Sequence, residues 1–165
     1  MPTISQPRDL FLNELKAMLY VEQRLADDVL PELSQEIKTE DFREDVRHHI
    51  EETRRHVANL ERAFELLGEE PKPDKSHAVD GLVAQHEKVA KTIESKDLLD
   101  LFDASAAAKT EHLEIAAYES LITSAVALGE SEIVSLLEEN LDDEKAALKK
   151  VENASREIAS ESAVA

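Results

Sequence analysis

The sequence predicts an all-α four-helix bundle with one long crossover that carries a short fifth helix. Three observations lead there. Only 3 of the 165 residues are Gly and many are Ala, Leu, Glu or Lys, a composition of strong helix formers. Apolar residues recur at helical spacing through long segments. The breakers Gly68, Pro71, Pro73 and Gly129 divide the chain into two pairs of such segments, as two hairpins joined by a long connection require.

The first helix is expected from a cap at Asp9 to about Gln35, with Pro31 kinking or shortening its end. Polar residues from Lys38 to Asp41 make the turn. The second helix runs to about Leu67, carried by Val46, Ile50, Val57, Leu60, Phe64 and Leu67. Gly68 ends it, and Pro71 and Pro73 forbid immediate resumption. A loop through Asp80 leads to a short amphipathic helix, Gly81 to Ser95, riding on the crossover. The third long helix covers Asp97 to Leu128, Gly129 stops it, and the fourth runs from Ser131 to Ser155. The whole chain, 1–165, reads as one domain with its bundle at 8–155. Residues 156–165 have weak periodicity and are expected to fray.

Composition narrows the function classes. Four Phe, two Tyr and no Trp leave a core of Leu, Ile, Val and Ala. Without cysteine there is neither a disulfide framework nor a thiolate metal site, which fits a cytoplasmic protein. No apolar run approaches the roughly 20 residues of a membrane span. A formal charge of −18 argues against nucleic acid as a partner, because phosphates need a basic footprint.

Chemistry enters through glutamates placed alone on apolar stripes. Leu15, Met18, Leu19, Glu22, Leu25, Ala26 and Val29 share a helical face on which Glu22 is the one charge. Glu144 interrupts the stripe Leu137, Leu141, Leu148 and Val151 in the same way. A carboxylate facing a bundle core is costly unless a cation meets it, and no basic residue shares either stripe. Residues equally far from a hairpin turn lie at one height. Glu22 and Glu52 fall about 16 and about 14 residues from Lys38, a difference of about 3 Å. Glu114 and Glu144 each lie about 15 residues from Gly129, with Glu111 one turn further out. All four helices thus deliver acids to one level. Glu111 sits on the stripe of Leu101, Ala104, Ala108, Ile115 and Tyr118; Glu114 adjoins it beside Ala107 and Leu121. His49, Glu52 and His56 share a face that flanks the apolar centre, where Thr53 sits.

Glu22, Glu52, His56, Glu111, Glu114 and Glu144 are therefore the expected metal ligands, with His56 the best nitrogen donor. His49 and His112 are read as lying behind the ligands or on the surface, Tyr118 as core within reach of a ligand carboxylate, and His48, His77 and His86 as carrying no specific signal. Carboxylates with imidazole suit iron or manganese. Zinc fits poorly with so many carboxylates, and calcium lacks its Asp-rich loop with Gly.

At these residues the chain resembles a known family. The segments Tyr20-Val21-Glu22-Gln23, His49-Ile50-Glu51-Glu52-Thr53, Thr110-Glu111-His112-Leu113-Glu114-Ile115-Ala116-Ala117-Tyr118 and Asp142-Asp143-Glu144-Lys145 look like the YciF-like branch of the ferritin-like superfamily. The resemblance implies a ferritin-like bundle, a homodimer, a dinuclear iron centre with two iron ions per chain, and a link to stress responses; on the ligand chemistry manganese is the other option. Such a centre could bind dioxygen or peroxide and cycle between ferrous and ferric states, chemistry that oxidase, peroxidase-like and iron-handling outcomes share. The sequence departs from the usual Glu-x-x-His spacing, with Arg55 three residues after Glu52 and Ala147 three after Glu144. Two other readings stand beside it: a structural or interaction bundle whose acid cluster is vestigial or metal-free, and a dimanganese catalase-like enzyme.

Overall fold

The computed structural model describes residues 3–162. Helix α1 (Pro7–Arg24) passes through a π-helical turn (Leu25–Val29) into α2 (Leu30–Glu36), making one continuous rod. Then come α3 (Glu40–Leu67), α4 (His77–Ala90), α5 (Lys96–Leu128) and α6 (Ser131–Ser162). Helix α1 packs against α3 and α5, and so does α6, so the four rods form a closed square, and α4 lies against α5. This is the four-helix bundle with one crossover, and no strand occurs among the described residues.

Local chemistry sets the ends. Pro7 occupies the first turn of α1, where its missing N–H costs nothing. Asp9 is not the cap expected of it. It sits inside the first turn, where its carboxylate accepts the Gln6 N–H at 3.0 Å and the Ser5 N–H at 3.2 Å. Gly68 and Gly129 close α3 and α5 in the left-handed region, φ 69° and 79°, which favours glycine. The start of α3 is capped from another helix. Completely buried Asp100 of α5 accepts Lys38 N–H at 3.1 Å, Thr39 N–H at 2.7 Å and the Thr39 hydroxyl at 2.6 Å.

Three expected boundaries are corrected. Helix α4 begins at His77, not Gly81, and ends at Ala90. Helix α6 continues to Ser162, because Ala154 and Ile158 are buried against the core; the last three residues of the expected frayed tail lie outside the described residues. The first rod is altered most. Pro31 is accommodated by the π-helical turn, where the Leu30 N–H bonds to the Leu25 carbonyl five residues back. One extra residue in the turn rotates the helix beyond it. The buried face therefore continues from Ala26 to Leu30, Ser34 and Ile37, and Val29 leaves its centre.

Phe11, Leu15, Phe42, Leu60, Phe64, Leu121, Ile133 and Leu137 fill the interior. Truncating one of them, such as Leu60 to Ala, costs about 2–5 kcal/mol. Ile133 and Ile158, apolar residues of α6, are core residues of this same chain. No helix among the described residues is long and apolar enough to cross a membrane.

Candidate metal centre

Glu22 is fully buried just before the π-helical turn. Its Oε1 accepts a hydrogen bond from Tyr118 of α5, and its Oε2 has no hydrogen-bond partner. A polar chain fixes Tyr118 in turn. Asn140 of α6 donates to the Tyr118 oxygen at 2.9 Å, and Asn59 of α3 donates to Asn140 Oδ1 at 2.8 Å. Four helices thereby hold one carboxylate oxygen in place.

Helix α3 contributes two imidazoles, His49 and His56, seven residues and thus two turns apart on one face. His56 Nδ1 faces Glu144 Oε1 at 2.9 Å and Glu22 Oε1 at 3.4 Å, close but without hydrogen-bond alignment. Its other nitrogen, Nε2, lies 3.3 Å from Asp143, which Arg55 holds at 3.0 Å. His49 repeats the plan. Its Nε2 faces Glu111 at 3.4 Å and Glu144 at 3.6 Å, and its Nδ1 meets Glu52 at 3.2 Å. A carboxylate behind each imidazole fixes its orientation and aims the second nitrogen inward, the arrangement that orients histidine toward a metal.

Glu111 and Glu114 enter from α5 and Glu144 from α6, all buried. Two groups of potential donor atoms result, Glu22 with His56 and Glu144, and His49 with Glu111 and Glu144, each with its atoms within 4.8 Å of one another. Glu144 belongs to both. Oε2 of Glu22 and of Glu111, and both oxygens of Glu114 and Glu144, lack hydrogen-bond partners.

The electrostatics have one physical cause. Four carboxylates facing the centre, Glu22, Glu111, Glu114 and Glu144, are buried with two imidazoles, and no Lys or Arg is buried among the described residues. With all four carboxylates ionised the charge would be negative even with both imidazoles protonated. Burial, then repulsion from neighbouring carboxylates, pushes the Glu114 carboxyl well above its usual range. Burial does the same to Glu111, partly opposed by His49, and raises Glu144 against the proximity of His56. Burial opposes an imidazolium at His56, but contacts with Glu144 and Glu22 lift it to about 11. Burial opposes an ionised Glu52 as well, yet His49 and His48 lower it to about 2. Orphaned carboxylate oxygens and inward nitrogens around one shared glutamate are what divalent cations would satisfy, so the donor set fits a pair of metal ions.

Of the expected ligands, Glu22, His56, Glu111, Glu114 and Glu144 converge. Glu52 does not join them. Its two oxygens are occupied by His48 at 3.0 Å and His49 at 3.2 Å, so it orients a donor instead of facing the centre. His49, assigned to the periphery from sequence, is the second inward imidazole, while His112 is exposed. The seven-residue spacing of His49 and His56 was the available signal. Asp143 and Asn140 carried none, because their partners are more than 20 residues away in sequence.

The DUF892 family, a domain of unknown function, matches residues 6–164. The chain belongs to that family. It is 30% identical to Protein YciF of Escherichia coli K12 over 139 residues, 84% of this chain and 83% of that protein. Among solved structures, YciF, described as an E. coli stress protein, superposes with a TM-score of 0.89 at 27% identity, covering 95% of this chain and 99% of YciF. YcfI of Rhodopseudomonas palustris, for which a structural role has been suggested, gives 0.88 at 34% identity over 90% of this chain and 94% of its own. A Xanthomonas campestris protein at 20% identity shares the fold, with a TM-score of 0.75.

Proposed function

We propose that this chain is a ferritin-like carboxylate protein that holds two metal ions, iron before manganese, in the bundle core. The observation that carries this is the acid cluster around Glu144, with its orphaned oxygens and no Lys or Arg buried among the described residues. Glu22, His56 and Glu144 would hold one ion and His49, Glu111 and Glu144 the other, with Glu114 beside them. Two divalent ions would balance four carboxylates and leave both imidazoles neutral, the form in which histidine ligates.

Redox-active ions bound there would supply one-electron cycling and reactivity toward dioxygen or peroxide. The protein's own part is positional. Tyr118 and Asn140 hold Glu22, Glu52 holds His49, and Asp143 with Arg55 holds His56. The relative described as a stress protein supports a role in oxidant or iron handling under stress, and the dimer implied by the family resemblance belongs to the same proposal.

Metal analysis of protein purified without added metal is the test. The proposal expects about two irons per chain, matching the two donor groups. Manganese with peroxide dismutation would favour the catalase-like reading. A metal-free protein that takes up no ferrous ion would leave the structural reading, in line with the role suggested for the R. palustris relative.

A further inference from the structure

A cavity of about 400 Å³ lies between the first rod, α4 and α5, within the range of about 300–1,000 Å³ that holds small organic molecules. His49, Glu111 and Glu114 form part of its wall, so it abuts the candidate centre. Much of the rest is apolar, including Leu25, Leu30, Leu33, Leu82 and Phe102. Its charged residues are of both signs, six acidic and four basic, so the lining does not single out an anion.

The same wall carries a polar group for which the metal centre has no use. His86 of α4 lines the cavity, and its Nε2 lies 2.7 Å from Oδ1 of Asp103 on α5. Asp103 is completely buried and its Oδ2 has no partner. The imidazole stacks on Phe102 with centroids 5.3 Å apart and planes 5° from parallel. One nitrogen and one face of the ring are thus fixed, and Nδ1 is left without a protein partner among the described residues. The hydrogen bond to Asp103 raises the imidazole above its ordinary value and leaves Nδ1 as the ring's free hydrogen-bonding atom.

We propose that this cavity binds a small neutral molecule, mainly apolar, whose single hydroxyl group hydrogen-bonds to His86 Nδ1, as in a naphthol. Asp103 is the positioning residue, and the apolar body lies along Leu25, Leu30 and Phe102. Standing as a substrate rests on the metal-centre reading; binding itself does not.

The test titrates the chelator-treated full chain with 1-naphthol and follows naphthol fluorescence, which no Trp of this chain obscures. Saturable binding is expected, about two- to tenfold tighter than naphthalene, the scale of one hydrogen bond. Ala106→Phe, which fills the cavity at a lining position, should abolish it while the fold is retained. His86→Phe keeps a ring on Phe102 and should erase the preference for naphthol over naphthalene. Should that variant fail to fold with Asp103 unpaired, the parent's naphthol to naphthalene ratio and Ala106→Phe decide alone. Unsaturable binding, equal affinity for naphthalene, undiminished binding by Ala106→Phe, or tighter binding of 1-naphthoate would each overturn the proposal. Because the titration is metal-free, its failure leaves the metal centre standing, and a failure to bind iron leaves the naphthol result standing.

Discussion

Replacing Glu144 with Gln separates a metal ligand from half of a salt bridge. Gln keeps the shape and can still hydrogen-bond, but it removes the one carboxylate common to both donor groups. In the metal-free protein two effects of similar size oppose each other. Carboxylates this close repel by roughly 3–4 kcal/mol at an effective dielectric of about 20, and the attraction to His56 at 2.9 Å is on the order of 5 kcal/mol. Burial breaks the tie. The raised Glu144 carboxyl, for which burial is the first cause, shows that the folded protein prefers a neutral group here, and Gln supplies one permanently. Apo Glu144→Gln should therefore melt at or above the parent, each kcal/mol of relief being worth about 2–4 °C in a chain of this size. Metal uptake should fall at least about 100-fold, since even residues that merely orient ligands cost 10–100-fold. Thermal melts of chelated protein beside a ferrous titration read both quantities. A destabilised apo protein that still binds two ions would refute the reasoning, because it would make Glu144 a partner of His56 and nothing more.

Chelation should lower the melting temperature, because ligand at 100 times its Kd contributes about 2.7 kcal/mol to the folded state alone; coincident melts with and without ferrous ion would speak for a metal-free polar seam. The chelated protein should gain stability as pH falls from 8 toward 5. Glu111, Glu114 and Glu144 are raised and His56 is raised to about 11, so all bind protons more tightly folded than unfolded and lose that stability as pH rises. Glu52, lowered to about 2, works oppositely only below its unfolded value near 4.5, and a melting temperature that falls steadily from pH 8 to 5 would contradict the assignment. Metal loading should release protons in calorimetry run in buffers of different ionisation enthalpy, and acid should weaken it; uptake without proton release counts against these ligands. Asp100→Ala should cost about 2–4 kcal/mol in urea unfolding by orphaning the Lys38 and Thr39 amides, with Asp100→Asn milder, and a change under about 0.5 kcal/mol would deny the cap its role. Light scattering at micromolar concentration should show a homodimer; a monomer removes that expectation, and a 24-subunit shell would point to storage.

Periodicity and breakers made much of this protein legible from its residues. Four long amphipathic helices, the stops at Gly68 and Gly129, and the common depth of Glu22, Glu111, Glu114 and Glu144 all depend on local spacing, which helix geometry converts directly into face and height. Other features arise from contacts between helices and became visible only in the folded chain. The π-helical turn is a backbone choice that absorbs Pro31 and rotates Leu30 into the core, and a constant 3.6-residue period cannot express it. His49 and Glu52 sit on the flank of the same stripe, so their pattern is ambiguous. Helix α3's rotation within the bundle is what turns the imidazole toward Glu111 and leaves the carboxylate behind it. Helix α6 persists past Ser155 because buried Ile158 finds the core, where the tail's own propensity is weak. The pairings Asp100 to Thr39, Asp103 to His86 and Asn140 to Tyr118 join residues 17 to 61 positions apart. Distance along the chain hides them, because a polar side chain's partner is chosen by packing and not by its sequence neighbours.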